Sequence, residues 1–390
     1  MHRSLRRPYR LTTAALLSLV ALSGTAGAQS YGAPNPNDLP PYKKEFNVVG
    51  GLRLAGNDLK GNVPALMAAF QKVQPQAMLS GNFMTSSEGA LGMMYAGVSD
   101  MAPMGDDAKI TDQMPFYNSF GYTPTEISIA TGGYDQRGTL FAWAIVVNGQ
   151  NPIATLSMGQ LDRIFGAERS GAWSVGDNPE HDILFTAKYA RRPETNIRTW
   201  GQLGLSGDWK DRPIATYGYV APGFATNFER LVMHWSDKWN PNFQQFVEDK
   251  EATSDAEGQR VVADRMMEAV MNDKYAIAWA ALMHVNGTCV LPNGTKCKAY
   301  PGLRVLPISH TDTGPSIALT PENVANRSYP LTRDAYLYIN KPPGRPVDPR
   351  VREFVRFILS REGQSVIAKV GIFSPLPAAY ARQQLAKLDR

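Results

Sequence analysis

Two cysteines are all the chain holds in 390 residues, Cys289 and Cys297. The Val-Leu-Pro-Asn-Gly-Thr-Lys between them suits neither a Cys-x-x-Cys redox pair nor a four-ligand zinc site. Pro-Asn-Gly is turn chemistry that brings two strand ends together, so in an exported protein a local Cys289–Cys297 disulfide is expected. Histidine is scarce as well, with five residues. His181, His234, His284 and His310 show no His-x-x-x-His or Glu-paired spacing, which removes support for a zinc hydrolase. No Gly-x-Ser-x-Gly elbow and no Gly-x-x-x-x-Gly-Lys loop occurs, so serine-hydrolase and P-loop chemistry lack their motifs. No enzyme, metal or cofactor is expected. Charge of one sign is also missing. The 40 Lys and Arg face 35 Asp and Glu, and removing Arg3, Arg6, Arg7 and Arg10 leaves 36 against 35. Such a balance gives no reason to invoke nucleic acid or an anionic membrane.

Long apolar runs are absent apart from Leu11 to Leu22, which is too short to span a bilayer. With the four arginines before it and Ala26-Gly27-Ala28 after it, the run reads as a secretory signal peptide over 1–28, cleaved before Gln29. No cysteine follows the cleavage site to carry a lipid, so a soluble, monomeric, periplasmic or secreted protein without a membrane anchor is expected.

The remaining length is enough for two lobes. Residues 29–45 are rich in Pro, Asn and Gly and read as an extended lead-in. From Phe46 onward, short apolar runs alternate with helical spacing, the pattern of α/β architecture. Leu52 to Gly56 reads as a strand, Val63, Leu66, Met67 and Phe70 as a helix face, Ala77 to Ser80 as a second strand, and Glu88 to Ala96 as a helix. Ile127 to Ala130, Phe141 to Val147 and Tyr275 to Ala280 read as further strands. Leu156, Leu161, Ile164 and Phe165 suggest a helix, as do residues Val261 to Met271. Near the C-terminus Phe354, Phe357, Ile358, Val366, Ile367 and Val370 recur at three- and four-residue steps, the spacing of one helix face. Gly371 ends that helix, and Pro375 and Pro377 prevent its resumption. The tryptophans, among them Trp143, Trp173, Trp200 and Trp279, are expected in the core.

The string Leu359-Ser-Arg-Glu-Gly-Gln364 followed by Ser374-Pro-Leu-Pro377 resembles the C-terminal signature of phosphate-type periplasmic solute-binding proteins. Gly50 to Gly56, Gly97 to Met104, Gly121 to Ile127, Val147 to Ile153, Leu161 to Phe165 and Tyr329 to Asn340 resemble the same family in the same order. The resemblance implies a two-lobed type II periplasmic-binding-protein fold, with two doubly wound α/β lobes joined by two crossover strands. Lobe 1 would comprise 46–142 plus 330–390 and lobe 2 143–329. It further implies a small ligand, phosphate or another small anion, captured in the interlobe cleft and passed to an ABC permease. The alternative is a degenerate member with altered or lost ligand binding that acts as a periplasmic adaptor or sensory protein.

In that family four loops hold the anion. The first corresponds to Asn57-Asp58-Leu59, where Asp58 is either an unwelcome carboxylate or a helix N-cap. The second carries Ser86 and Ser87, with Ser87 as anion-contacting hydroxyl or N-cap. The third is Gly105-Asp106, in which Asp106 accepts the phosphate proton or, with Asp107, forms a solvated acidic turn. In the fourth, Gly218 stands where the family has Arg, Pro222 for Ser and Phe224 for Thr, leaving Gly223, Phe224 and Thr226 around the ligand. Charge-assisted hydrogen bonds contribute roughly 1.5–3 kcal/mol each, so phosphate affinity is expected to be weak. Restoring Gly218→Arg, Pro222→Ser and Phe224→Thr is expected to raise it. Arg137 either replaces the missing cation or forms a salt bridge with Asp135. Lys188 to Arg192 either reaches the cleft mouth or covers a solvated face.

Overall fold

The computed structural model describes residues 30–84, 87, 89–135, 140–175, 182–219, 224–247, 255–288, 290 and 294–389. Two five-stranded sheets organise the chain. The first runs in the order Ala77–Met84, Gly50–Asn57, Met101–Met104, Asp334–Ile339, Thr125–Thr131. The second runs Phe243–Phe246, Ala215–Tyr219, Ala276–Ala281, Trp143–Asn148, Leu303–Leu306. Both are mixed: the first three strands of each pair in parallel, and the strand entering from the other sheet pairs antiparallel. The chain passes from the first sheet to the second between Thr131 and Trp143 and returns between Leu306 and Asp334. The result is the two-lobed α/β fold that the sequence pattern implies.

Each sheet buries its own core. Leu52, Leu54, Phe70, Phe354 and Phe357 fill the first, and Trp143, Phe165, Phe228 and Trp279 the second. The first strand and helix follow their pattern closely. Leu52 and Leu54 point inward, and Val63, Leu66 and Phe70 line one buried stripe of helix Asn62–Val73. The lead-in is extended only in part. It holds a short helical turn at Pro36–Asp38, and the Tyr42 ring packs edge-on against Phe357 while its hydroxyl donates to Glu353 at 2.5 Å.

Three elements differ from expectation. The C-terminal helix is two, Pro349–Ile358 and Arg361–Val370, because Ser360 caps the second by accepting from the Gly363 N–H. Apolar spacing carries across the break since both helices face one core. Pro377 begins a third helix, Ala378–Ala386, rather than ending the fold; proline is tolerated where a first-turn N–H has no partner. Leu156 lies in a two-residue strand beside Ile308, and the helix starts at Met158 with Ser157 as its cap. The helix expected from Glu88 to Ala96 spans Ala90–Tyr95. Trp143, Trp200 and Trp279 are fully buried as expected, whereas Trp173 stands on the hairpin Ala172–Val175/Ile183–Thr186 against the exposed Phe185.

Among the described residues no helix is long and apolar enough to cross a membrane.

Candidate functional site

The first-lobe loops converge at Gly105. A Cβ there would meet Leu59 at 3.6 Å, Ser87 at 3.8 Å and Leu140, on the outgoing crossover, at 3.9 Å. Ser87 is buried, and its Oγ accepts a hydrogen bond from the Gly105 N–H at 2.8 Å. Its hydroxyl therefore clasps the second loop to the third and does not cap a helix, the N-cap position belonging to Gly89. A hydroxyl that accepts one bond keeps its own O–H to donate.

The first loop is held in an unusual conformation. Leu59, Lys60 and Gly61 have φ of 53°, 55° and 83°, a left-handed run that costs energy at its two non-glycine members. The side chains of Asn57 and Asp58 enforce it by accepting from the backbone N–H groups of Leu59 and Lys60, at 2.8 and 3.0 Å. Asp58 is thus a turn former. Gly61, not Asp58, is the N-cap of the following helix.

The third loop carries two carboxylates with different surroundings. Asp106, 38% exposed at its side chain, accepts from Arg333 Nη2 at 2.7 Å. Asp107 is not solvated. Its side chain is 1% exposed and accepts from Asn227 Nδ2 and Arg230 Nη1 of the helix Phe224–Met233. Burial works against charge on Asp107, yet the Arg230 guanidinium, the Asn227 amide and Arg333 hold its carboxyl below the ordinary value. Arg230 also grips Glu126 with both terminal nitrogens, at 2.9 and 2.8 Å. Burial likewise opposes charge on Glu126, and Arg230 overcomes it, so this carboxyl too lies below its usual range. Since Asp107 and Glu126 belong to the first lobe and Asn227 and Arg230 to the second, these bonds join the lobes. The Tyr117 hydroxyl, donating to Asp182 at 2.9 Å, crosses between them a second time.

Arg333 is the residue that sequence reasoning missed. It stands just before the returning strand, is 2% exposed, and its Nε and Nη1 have no hydrogen-bond partner among the described residues. Its guanidinium carbon lies 5.8, 5.2 and 5.7 Å from the ring centroids of Phe141, Trp143 and Phe224. The signal was an Arg-Asp pair opening the apolar run Ala335 to Ile339. The Arg of such a pair at a sheet end is enclosed by whatever covers that end. Asp334, its neighbour, is taken by Arg327 Nη1 and by Arg327 Nη2 at 3.0 Å, so it does not pair with Arg333.

The fourth loop contributes Phe224 and Thr226, both on the first turns of helix Phe224–Met233. Thr226 is 7% exposed, and Phe224 packs at 5.6 Å from Phe141 and 5.4 Å from Trp143. Gly218 does not face this site. It lies inside strand Ala215–Tyr219, where a Cβ would come within 2.3 Å of Trp279 Nε1 and 2.8 Å of Phe243. An arginine there would enter the core, so the expectation that Gly218→Arg restores a ligand contact is overturned. Ser86, Arg137, Pro222, Gly223 and Cys289 lie outside the described residues. Arg191 neither reaches a cleft nor covers a solvated face. Its side chain is 8% exposed beside Asp162, with Nη2 donating to the Ala167 carbonyl at 2.5 Å.

The structure therefore draws Leu59, Ser87, Asp106, Phe224 and the unforeseen Arg333 to one place between the lobes. Chemically it offers a buried cation with two free donor nitrogens, a hydroxyl, a carboxylate and an aromatic wall. Among the described residues no cluster of His, Cys, Asp and Glu is placed to hold a metal ion.

Comparison with known proteins agrees with this architecture. Residues 141–362 match the family described as PBP superfamily domain. Phosphate-binding protein PstS of Pseudomonas aeruginosa is 26% identical over 375 residues, covering 96% of this chain and 97% of the relative. Among solved structures, an ABC-type phosphate transport receptor from Vibrio cholerae is similar at 16% identity and a TM-score of 0.42, covering 83% of this chain and 100% of its own. PstS from Borrelia burgdorferi is similar at 12% identity and a TM-score of 0.46, covering 84% and 99%.

Proposed function

Because the chain belongs to the PBP superfamily, we propose that it is an exported solute-binding protein whose lobes close on a small oxyanion held at Arg333. The observation that carries this reading is the buried guanidinium with two unpartnered nitrogens. A buried charge is costly unless its donors are satisfied, and an anion in the cleft satisfies them. The relatives' name makes inorganic phosphate the first oxyanion to test.

In this reading Arg333 supplies the cation that position 218 lacks, which disfavours an adaptor without a ligand. Ser87 donates its hydroxyl to the anion. Asp106 keeps Arg333 Nη2 in place and accepts the proton of a partly protonated ligand. The N-terminus of helix Phe224–Met233 adds backbone donors and a favourable dipole.

Lobe 1 is taken as 46–142 plus 330–390 and lobe 2 as 143–329, in keeping with the sheet to which each strand belongs. Residues 1–28 are a leader removed after Ala28, and an ABC permease receives the ligand. Cys289 is paired with Cys297, a reading supported by the antiparallel bridge between their neighbours Val290 and Lys296.

Titration calorimetry of the protein lacking residues 1–28 with inorganic phosphate tests the function. A saturable isotherm is expected, abolished by Arg333→Met and weakened at least tenfold by Arg333→Lys. Phosphate binding untouched by Arg333→Met would mean that the anion sits elsewhere.

A further inference from the structure

We infer that the oxyanion held at Arg333 carries an apolar substituent, so that a phosphate monoester or a phosphonate is preferred over inorganic phosphate. This rests on the reading of Arg333 just given. An oxygen bonded to Nε or Nη1 lies about 3 Å from the nitrogen, and so beside the rings of Phe141, Trp143 and Phe224, whose centroids are 5.2–5.8 Å from the guanidinium carbon.

Those rings form a continuous wall. Phe141 and Trp143 meet edge-on at 5.2 Å, Trp143 and Phe224 at 5.4 Å, and Tyr219 joins Phe224 at 5.3 Å. The polar atoms in the wall are committed to the protein. Trp143 Nε1 donates to Asn227 Oδ1 at 2.6 Å, and the Tyr219 hydroxyl is bonded to His284 Nδ1 at 3.2 Å.

Inorganic phosphate stripped of water presents four oxygens that all require partners. A wall of rings leaves the oxygen facing it without one. A monoester or phosphonate turns its apolar group to that wall, keeps its remaining oxygens for Arg333 and Ser87, and gains ring contact in offset or edge-to-face geometry. Asp106 points the same way, since its carboxylate beside Arg333 Nη2 favours an anion of lower charge.

The protein lacking residues 1–28 is titrated at one pH with phenyl phosphate, phenylphosphonate, methylphosphonate and inorganic phosphate. At least one phenyl ligand is expected to bind tenfold or more tightly than inorganic phosphate, with methylphosphonate between them. Whichever phenyl ligand leads identifies ester or phosphonate as the natural source. Phe224→Thr should reduce the phenyl advantage below threefold, and Phe224→Leu should reduce it less, both with thermal unfolding monitored to establish folding. Inorganic phosphate equalling or exceeding both phenyl ligands overturns the inference while leaving oxyanion capture intact. Binding of none of the four overturns capture at Arg333 as well.

Discussion

Replacing Arg230 by Met tests how the lobes are held together. Arg230 makes two bonds to Glu126 and one to Asp107 across the lobe boundary. Removal leaves Asp107, 1% exposed, with Asn227 but no adjacent cation from the helix. Breaking a buried pair in this way costs about 3–5 kcal/mol. The lower end applies because the Arg230 and Glu126 side chains remain 27% and 22% exposed, so water partly replaces the lost partner. A loss of about 3 kcal/mol is roughly a hundredfold in an equilibrium constant. Urea unfolding should register the loss, and small-angle scattering should register a larger radius of gyration as lobe separation becomes populated. The pH dependence has a definite sign. Both carboxyls lie below their ordinary values, so their stabilisation is present above the unfolded carboxylate range and is lost as pH falls through the depressed folded values. Arg230→Met should flatten that acid limb. Adding Asp107→Asn and Glu126→Gln to Arg230→Met should restore much of the stability, since removing every charge avoids leaving one buried alone. A stability change below about 0.5 kcal/mol, or an unchanged acid limb, would refute the assignment of Arg230 as the interlobe tie.

Three further outcomes are expected. Gly218→Arg should destabilise the fold by several kcal/mol in a denaturant titration without raising phosphate affinity, because its Cβ alone would lie 2.3 Å from Trp279 Nε1; an increase in affinity would show that the strand relocates. Burial raises the Glu229 carboxyl to about 7, against the opposing hydrogen bond from Trp239. Stability should therefore fall as pH rises from the ordinary carboxyl range through about 7, and Glu229→Gln should remove that slope in urea melts at pH 5 and 8. The proposed Cys289–Cys297 bond closes a short loop worth about 2.5 kcal/mol; thiol labelling of the native, unreduced protein should find no reactive cysteine, and labelling of both would disprove the pairing.

What the sequence disclosed was architecture, because periodicity reports burial directly. Leu52 and Leu54 alternate in a strand, and Val63, Leu66 and Phe70 recur on a helix, each in contact with the first core. Helix ends were read less well. Ser360 looked like one more residue of a continuous helix, since its capping role depends on the backbone turning at Leu359. The site was legible only as loops. Ser87 and Asp106 were picked out by type, but Asp107 was taken for a solvated acid when its partners, Asn227 and Arg230, stand more than a hundred residues away. Arg333 escaped for the same reason. Its surroundings come from Asp106, Phe141, Trp143 and Phe224, and no local pattern announces a cation whose environment is assembled from three distant segments.

The position of Arg333 has a mechanical consequence. Gly132 on the outgoing crossover leaves no room for a side chain, since a Cβ would come within 2.2 Å of the Leu140 carbonyl and 2.9 Å of the Arg333 carbonyl. The two passes of the chain touch there, and Arg333 is mounted on that axle. A ligand gripped at an axle exerts almost no torque on either arm. Arg230, reaching from a helix of one lobe to a loop and a strand of the other, pulls at a distance from the axle and has the lever that Arg333 lacks. Affinity and closure are thereby assigned to different arginines, and a substitution at either one is expected to change its own quantity first.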